Sequence, residues 1–323
     1  CALPISVALG GANVALRDST PLTLAATTAT GTLDLTSNGA ITQSGATTVS
    51  ATGAATFAAG AANDITLTNA NNFSSVGITS GNNVVLNDTN DLALNASTVS
   101  GTLSVTANGA ISDNGVLAVT GASTFAAATG ITLDNANNFS SVNASTTAGN
   151  VVLNDTGDLV LAGVNANTSR ASISAAGAVT QTGAITAGSL ELTGTGSFTL
   201  NNSGNNVADL ASNTTGALNY TDSTALTLGN TVGGTTGITS AGAVTVSTLA
   251  GALTITAAGD IVAGGDVNLT GAGGISTAGD VTTSNDNVSF LSDTTLTGNV
   301  SINTGTGAGN IVFAGTVNGG SDL

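Results

Sequence analysis

Histidine, lysine, tryptophan and methionine are absent from this chain of 323 residues, which contains a single cysteine. Arg17 and Arg170 are the only basic residues, and Glu191 is the only glutamate. The usual general bases, activated nucleophiles and transition-metal ligands are therefore almost entirely missing. The acidic residues are scattered through repeated turns and form no single cluster. We expect that the protein is not an enzyme; a carbohydrate-active β-helix enzyme working with carboxylates is the alternative.

Positive charge is almost missing as well. The 2 basic and 18 acidic residues give a net charge of −16. Nucleic-acid binding is excluded, because so few basic side chains cannot neutralise a phosphate backbone. No uninterrupted apolar run approaches the length that crosses a bilayer, so we expect no membrane span. The lone cysteine excludes an intrachain disulfide.

Large side chains are rare. Aromatic residues make up 2% of the chain, whereas hydrophobic residues make up 41%. The apolar mass is therefore Ala, Val, Leu and Ile, which suits a thin core of narrow layers. Gly, Thr, Ser and Asn are abundant and are poor helix formers. Val, Ile and Thr favour strands, whereas Gly, Asn and Asp favour the turns between them.

One stretch occurs three times along the chain. Residues 71–94 read NNFSSVGITSGNNVVLNDTNDLAL, residues 137–161 read NNFSSVNASTTAGNVVLNDTGDLVL, and a weaker version spans residues 205–228. Phe73 and Phe139 are 66 positions apart (139 − 73), whereas Gly31 and Gly101 begin matching segments 70 apart (101 − 31). A near-fixed period of this kind is the signature of a repeat architecture.

Shorter units subdivide each long repeat. They carry triplets in which apolar residues flank a polar one, such as Leu33-Asp34-Leu35 and Leu103-Ser104-Val105, the alternation of a half-buried strand. Units of roughly 15–22 residues have the length of one solenoid coil. The pattern predicts an all-β fold, a parallel β-solenoid in the form of a right-handed β-helix. The alternative is a tandem of antiparallel β-sandwiches with domains of about 67 residues.

The repeats also suggest how the chain is divided. Residues 1–30, which contain Pro4 and Pro21, are expected to form irregular first coils or a junction. Residues 31–228 hold three long repeats, and residues 229–323 hold further short coils of one continuous solenoid. The pattern runs to the last residue with no capping helix, although stacked repeats need caps to protect their ends. We therefore expect a fragment of a longer rod, or a subunit whose ends pair head to tail.

Two repeated turns are the best candidates for a metal site. Asp88 and Asp91, and likewise Asp155 and Asp158, are carboxylates three residues apart that could offer oxygen ligands to Ca²⁺. The chain has no nonapeptide of the β-roll type to complete six to eight ligands. The alternative is a turn in which the Asp and Asn side chains bond their own backbone. No other cofactor is expected.

Stacking residues recur at matching places in the repeats. We expect Asn72, Asn138 and Asn206 to form polar ladders, and Phe73 and Phe139 to form internal columns, because like stacks on like in a solenoid. These roles are structural.

The first residue is the cysteine itself. Cys1 is either a lipidated N-terminal cysteine left by signal cleavage or the point at which a fragment of a longer chain begins. The second explanation is the simpler one, since no signal segment is present.

The phrases GNVVLNDTGDLVLAG, GDIVAGGDVNLTGAGGISTAGDV and GNVSINTGTGAGNIVFAG resemble the repeat regions of filamentous-haemagglutinin-like large exoproteins, the bacterial adhesins exported by two-partner secretion. The resemblance covers the chain from about Gly31 onward and implies a β-helical shaft on a Gram-negative cell surface. We accordingly expect a secreted or cell-surface structural protein, a shaft or head-to-tail filament in adhesion or in a biofilm matrix. The alternative function is a module that binds glycans or host proteins through its lateral face.

Overall fold

The structure is a computed structural model that describes residues 5–323. Those residues form strands and turns with no helix, in about 16 turns of about 20 residues each. Strand pairs between coils are parallel, as in the in-register ladder of Val84 with Leu103 and Leu86 with Val105. The predicted all-β parallel β-solenoid is thus confirmed, and the antiparallel sandwich is wrong. Its right-handed sense stays a prediction, and Cys1, with its proposed lipid, lies outside the described residues.

By compactness the chain divides into two units, Cys1–Gly157 and Asp158–Leu323. The strands of the first unit are β1 Ile5–Val7, β2 Gly10–Gly11, β3 Val14–Asp18, β4 Leu22–Leu24, β5 Thr27–Ala29, β6 Leu33–Ser37, β7 Ile41–Gln43, β8 Val49–Ala58, β9 Ile65–Ser80, β10 Val84–Asp88, β11 Leu92–Leu94, β12 Ser97–Val99, β13 Leu103–Ala107, β14 Ala110–Asp113, β15 Leu117–Ala127, β16 Gly130–Thr146 and β17 Val151–Asp155.

The strands of the second unit are β18 Leu159–Asn165, β19 Arg170–Ala175, β20 Val179–Gln181, β21 Ile185–Gly194, β22 Phe198–Leu200, β23 Asn206–Thr214, β24 Leu218–Asp222, β25 Leu226–Leu228, β26 Ile238–Ser240, β27 Val244–Thr248, β28 Leu253–Ile255, β29 Ile261–Ala263, β30 Val267–Gly271, β31 Ile275–Thr277, β32 Val281–Thr283, β33 Val288–Phe290, β34 Thr294–Leu296, β35 Ile302–Asn303, β36 Ile311–Phe313 and β37 Val317–Gly319. The predicted boundaries at residues 30 and 228 stay predictions.

Long strands bend around corners in the first unit. The 16-residue β9 pairs with β10 through Leu67 and with β11 through Val76, and the ladder with β10 has a register shift between Leu67 and Asn71. A bend within one strand changes the face of the solenoid that the strand covers without ending the parallel ladder. The residues at such a bend are the ones whose backbone groups need other partners.

Short strands characterise the later part of the second unit, from β24 onward. β27, β28 and β29 pair with β30, β31 and β32 respectively, so three short strands make one coil. Each buries its first and third residues, as in Val267-Asn268-Leu269. The core of each coil is therefore a few apolar side chains that lie on their equivalents in the next coil, as the low aromatic content predicts.

Phenylalanine supplies the largest side chains of the core. Phe73 is buried with its ring edge-on to Phe57, the centroids 5.9 Å apart, and Phe139 meets Phe125 in the same way at 5.8 Å. Edge-to-face contacts of this kind stabilise aromatic pairs beyond the area they bury. Within residues 5–323, no helix is long and apolar enough to cross a membrane.

Candidate functional site

The first predicted metal pair points its two carboxylates at different coils. Asp88 is buried and accepts hydrogen bonds from the backbone N–H of Phe73, in the preceding coil, at 2.8 Å and of Asn90 at 3.2 Å. Asp91 is exposed and accepts one from the N–H of Ala110, in the following coil, at 2.7 Å. Because the carboxylates serve opposite neighbours, they do not converge on the several oxygens that Ca²⁺ requires.

The second pair repeats this arrangement residue by residue. Asp155 is buried and accepts hydrogen bonds from the N–H groups of Phe139 at 2.7 Å and Gly157 at 2.8 Å. Asp158 accepts one from the N–H of Ala178 at 2.8 Å. No group of three or more Asp, Glu, His or Cys side chains able to hold a metal occurs within the described part of the chain. The geometry of these aspartates is therefore that of backbone anchors.

Burial changes the pKa of the two buried aspartates Asp88 and Asp155. Removal from water raises the pKa of Asp88 and of Asp155 above the usual value for aspartate, and the N–H donors around each carboxylate offset this only in part. A buried carboxylate that keeps its charge needs donors of this kind, since an unpaired one would be costly.

Two further anchors were not among the predicted site residues. Asp222 is fully buried and accepts hydrogen bonds from the Val207 N–H at 2.9 Å and from the Tyr220 hydroxyl at 2.8 Å. Burial, with the neighbouring carboxylate, raises the pKa of Tyr220 well above its usual value. Asp18 accepts a hydrogen bond from the Thr20 N–H at 2.9 Å. The four anchors recur at the near-constant spacing of the long repeat, a regularity that the sequence displays.

The asparagine pairs bury their first member. Asn72, Asn138 and Asn206, the predicted ladder residues, are exposed. The residue before each of them is fully buried, and these are Asn71, Asn137 and Asn205. The buried asparagine lies two positions before the inward Phe73, Phe139 or Val207 and so shares its face of the strand.

Asn71 satisfies the backbone where the chain bends. Its Oδ1 accepts hydrogen bonds from the Val49 N–H at 2.9 Å and from Gln43 Nε2 at 2.7 Å. Its Nδ2 donates to the carbonyl oxygens of Leu67 at 3.1 Å and Asn87 at 3.2 Å. One amide thus connects three successive coils, and no buried polar atom of this side chain is left without a partner.

Asn205 makes the same contacts in the second unit. Its Oδ1 accepts from the Ile185 N–H at 2.8 Å and from Gln181 Nε2 at 2.9 Å. Its Nδ2 donates to the carbonyl oxygens of Leu200 at 3.1 Å and Thr221 at 3.0 Å. The recurrence of four equivalent bonds in a separate unit shows that the arrangement belongs to the repeat.

Asn137 has a carboxylate as its neighbour instead of a glutamine. Its Oδ1 accepts from the Leu117 N–H at 2.8 Å, and its Nδ2 donates to Asp113 Oδ2 at 2.7 Å and to the Leu133 carbonyl at 3.3 Å. Asp113 is 8% exposed and also accepts from the Asp134 N–H at 3.1 Å. We call the three sets polar corners 1 to 3, made of Gln43, Asn71 and Asp88; of Asp113, Asn137 and Asp155; and of Gln181, Asn205 and Asp222.

Acidic residues also mark the start of many strands. Asp260 accepts a hydrogen bond from the Asp280 N–H at 2.9 Å, and Asp280 accepts one from the Ser301 N–H at 2.8 Å. Asp293 accepts from both the N–H and the hydroxyl of Thr316, which lowers the pKa of Asp293. Each carboxylate thus pairs with a main-chain group one coil further on. Acceptor side chains at turns account for much of the acidic composition.

Two shallow grooves on the outer surface contain two of the exposed asparagines, Asn72 and Asn206. A groove of about 300 Å³ in the first unit is lined by Thr52, Asn72, Ser74 and Asn90, among others. A groove of about 380 Å³ in the second unit is lined by Thr168, Thr186 and Asn206 with small neighbours. Both present amides and hydroxyls, the groups that hydrogen-bond a neutral polar ligand.

A family model described as repeats of unknown function (DUF5649) matches the chain four times, at residues 11–80, 81–146, 148–214 and 215–278. The eighth residue of every match is an anchor aspartate: Asp18, Asp88, Asp155 and Asp222 in turn. The unit that the family model describes is therefore the stretch of chain that carries one anchor aspartate. Neither a curated protein nor a solved structure matches this sequence.

Proposed function

Since the chain belongs to the family of repeats of unknown function (DUF5649), whose model matches most of it, we propose that its repeats serve as a structural shaft. The protein is secreted or held at the cell surface, and its solenoid coils extend head to tail into filaments. Such a shaft spaces or displays adhesive parts, as the resemblance to filamentous-haemagglutinin-like exoproteins implies.

The use of the polar side chains supports a structural role. In each polar corner the amides and carboxylates bond the backbone or each other, so the groups that recur in the repeat are occupied by the fold. A catalytic or metal site needs unoccupied groups that converge on a reacting atom. The recurring residues instead hold neighbouring coils in register, which is what a stiff shaft requires.

In the filament that we propose, β36 and β37 of the second unit would join one molecule to the next. The inward-facing Ile311 and Val317 are 47% and 42% exposed, whereas their partners in the coil before, Val288 and Thr294, are fully buried. Within residues 5–323, β36 and β37 pair only with β33 and β34. In that arrangement the first coil of the next molecule would continue the parallel ladder and cover these side chains.

On the next molecule, the joining strand would be β3 of the first unit. Val14 and Leu16 of β3 are only partly buried, whereas their partners Leu33 and Leu35 in the next coil are fully buried. Joining the last coil of one molecule to the first of another is a heterologous contact, which does not close and yields filaments.

The composition fits an extracellular setting. A net charge of −16 keeps separate shafts soluble and apart through mutual repulsion. With two arginines and no lysine, the chain offers very few sites to trypsin-like proteases.

The test is to place carboxylates on β36 and β37. We expect the protein to form rods of several molecular lengths in negative-stain images, with oligomers in sedimentation velocity that increase with concentration. The double variant Ile311→Asp, Val317→Asp is expected to remain monomeric, because buried carboxylates would oppose stacking. Val262→Asp is the control, since Val262 is also 47% exposed but lies on a lateral strand. A monomeric wild-type protein at high concentration would exclude the filament.

A second function is favoured by the lateral grooves. We propose that neutral glycans or a host protein bind at Asn72 and Asn206, which line the two grooves described above. The double variant Asn72→Ala, Asn206→Ala should lose binding on a glycan array. Asn138→Ala is the control, because Asn138 is equally exposed but lines neither groove. An array with no wild-type signal would count against glycans as the ligand.

A further inference from the structure

One inserted segment interrupts the regular pattern of the second unit. β25 ends at Leu228 and β26 begins at Ile238, which leaves residues 229–237 between them. The equivalent strands of the first unit are joined by two residues, Ala25–Ala26 and Asn95–Ala96. We call residues 229–237 the strap.

The strap folds into a tight hairpin. The N–H of Val232 donates to the Thr235 carbonyl at 2.8 Å, and the N–H of Thr235 donates back to the Val232 carbonyl at 2.9 Å. Gly233 and Gly234 between them have φ angles of 62° and 110°. Positive φ at both central residues is the geometry of the two-residue hairpin turns that Gly-Gly favours.

The chain's single glutamate holds the tip of the strap. Glu191 on β21 is 6% exposed and forms an ion pair with Arg170, Nη1 to Oε2, at 2.6 Å. Its Oε2 also accepts from the Ser172 hydroxyl at 2.8 Å, and its Oε1 accepts from the Thr235 hydroxyl at 2.9 Å. Hydrogen bonds to a charged, largely buried group are the stronger kind.

Close packing and a second bond fix the strap further. A Cβ added to Gly233 would collide with the Glu191 carboxylate and the Arg170 guanidinium, whereas one added to Gly234 would meet nothing. Val232 is 3% exposed. Near the base, Asn230 Nδ2 donates to Asp209 Oδ1 on β23 at 2.6 Å.

These contacts reach across a whole coil. β21 pairs with β23 through Glu191 and Ala211, and β23 in turn pairs with β25 and β26, which flank the strap. Thr235 therefore contacts a coil two steps away, over β23. Ala211, directly between Glu191 and the strap's own strands in the sheet, is fully buried, and its neighbours Leu210 and Ser212 are buried as well. Burial of three consecutive residues means that both faces of β23 are covered there.

We propose that the strap is a lock that prevents β23 from separating from β21 and makes these coils open as one block. In a repeat protein each unit contacts only its neighbours, so coils can open one after another. A contact between coils two steps apart removes that freedom, because the coil between them cannot leave while the strap is closed. The lock is a property of the second unit alone and does not depend on end-to-end assembly.

Amide hydrogen exchange on the whole protein tests the lock. Thr235→Val should raise the exchange rate of amides in β23, Asn206–Thr214, by about tenfold, the effect of losing one hydrogen bond to a charged group. Exchange in β30, Val267–Gly271, should not change. Thr239→Val is the matched control, since Thr239 is an exposed threonine on the strand just after the strap, and it should leave β23 unchanged. Thr235→Ser, which keeps the hydroxyl, should restore the wild-type rate.

A second pair of variants tests the lock by packing instead of bonding. Gly233→Ala should raise the exchange rate of the β23 amides more than Gly234→Ala, because only the first added Cβ meets Glu191. Backbone strain alone predicts the opposite order, since the φ of Gly233 lies closer to the left-handed region that a side chain tolerates. Circular dichroism confirms that each variant is folded. If Thr235→Val and Gly233→Ala both exchange in β23 at the wild-type rate, the strap is a surface loop and the lock is wrong.

Discussion

The corner of the solenoid is built with a buried asparagine in three repeats and without one in the fourth. In corners 1 to 3, a side-chain oxygen at the end of one strand accepts a backbone N–H from the bend of the next coil. The three donor–acceptor distances are 3.2 Å for Asn69 N–H to Gln43, 3.1 Å for Asp134 N–H to Asp113 and 3.1 Å for Asn202 N–H to Gln181. The fourth repeat has no polar side chain in that register, because Ile255 is the residue paired with Leu228. Its bend lies at Ala272, whose N–H donates to the Thr248 hydroxyl at 3.3 Å, and we call this bend the fourth corner.

The fourth corner replaces the asparagine with main-chain geometry. Residues 271–274 read Gly-Ala-Gly-Gly, and the Gly274 N–H donates to the Gly271 carbonyl at 2.9 Å. Gly274 has a φ of 92°, which a side chain would oppose. A bend of this kind needs its backbone groups satisfied, and either an amide side chain or a tight glycine turn achieves this. The comparison predicts that corners 1 to 3 depend on their side chains and that the fourth does not.

The largest effect is expected when an asparagine corner loses its amide. Asn205→Leu removes the partners of the Ile185 N–H and of the Leu200 and Thr221 carbonyls in a site with no access to water. Each buried group left without a partner costs about 1–3 kcal/mol, so we expect a loss of at least about 3 kcal/mol in the free energy of unfolding, measured by urea denaturation.

Asn206→Leu is the matched control. Asn206 is the next residue and is exposed. Within residues 5–323, its side chain bonds only the exposed Thr224, at 3.2 Å. Its replacement should change stability by no more than about 0.5 kcal/mol. Equal losses for the two variants would show that the buried member of the pair is not the one that supports the corner.

The next effect concerns the anchor aspartate. Asp155→Ala leaves the N–H of Phe139, a buried residue, without its acceptor, which costs about 1–3 kcal/mol. Loss of a buried charge offsets part of that cost at neutral pH. Asp158→Ala removes an exposed acceptor from the Ala178 N–H and should cost less, because water can replace the carboxylate.

The pH dependence of the same variant has a definite sign. Burial raises the pKa of Asp155, so the folded protein binds this proton more tightly than the unfolded chain, in which the pKa is about 3.9. The stability that Asp155 contributes is therefore greatest below that value and is lost as the pH rises through the folded pKa. Asp155→Ala should accordingly cost more at a pH just above 4 than at pH 7. A cost that falls on acidification would contradict the effect of burial.

Much of this fold is predictable from the sequence because two signals agree. The long period shared by the matching segments predicts stacked repeats, and triplets such as Leu33-Asp34-Leu35 predict strands whose first and third residues are buried, as they are. Together they identify a parallel solenoid, since like residues then lie over like.

The polar corners were only partly predictable, although the sequence does show polar residues on the inner faces of strands. In Val151-Val152-Leu153-Asn154-Asp155 the alternation places the aspartate on the inner face, and in Asn71-Asn72-Phe73 it places the first asparagine there. A polar residue on an inner face looks like an interruption of the strand unless its backbone partners are known. The strap had no such signal, because nothing in the sequence relates Glu191 to Thr235, 44 positions away (235 − 191).

Converting corner 2 into the type of corners 1 and 3 should have a smaller effect on stability, and of opposite sign. Asp113→Gln removes a largely buried carboxylate and adds an Nε2 donor for Asn137 Oδ1, the bond that Gln43 and Gln181 make at 2.7 Å and 2.9 Å. One such bond contributes about 1 kcal/mol. We expect the free energy of unfolding to rise by up to that amount. A clear loss would mean that the carboxylate is specifically required by the N–H groups of residues 134 and 135.

The smallest effect is expected in the fourth corner and completes the comparison. Thr248→Val keeps the shape of a buried side chain but removes the hydroxyl that accepts from the Ala272 N–H at 3.3 Å and donates to the Gly251 carbonyl at 3.0 Å. The Ala272 N–H also donates to the carbonyl of residue 248 at 3.2 Å, and this main-chain bond survives the substitution. Because the glycine turn satisfies its own backbone, the loss should be about 0.5 kcal/mol, well below that of Asn205→Leu. A loss as large as that of Asn205→Leu would mean that the fourth corner also depends on its side chain.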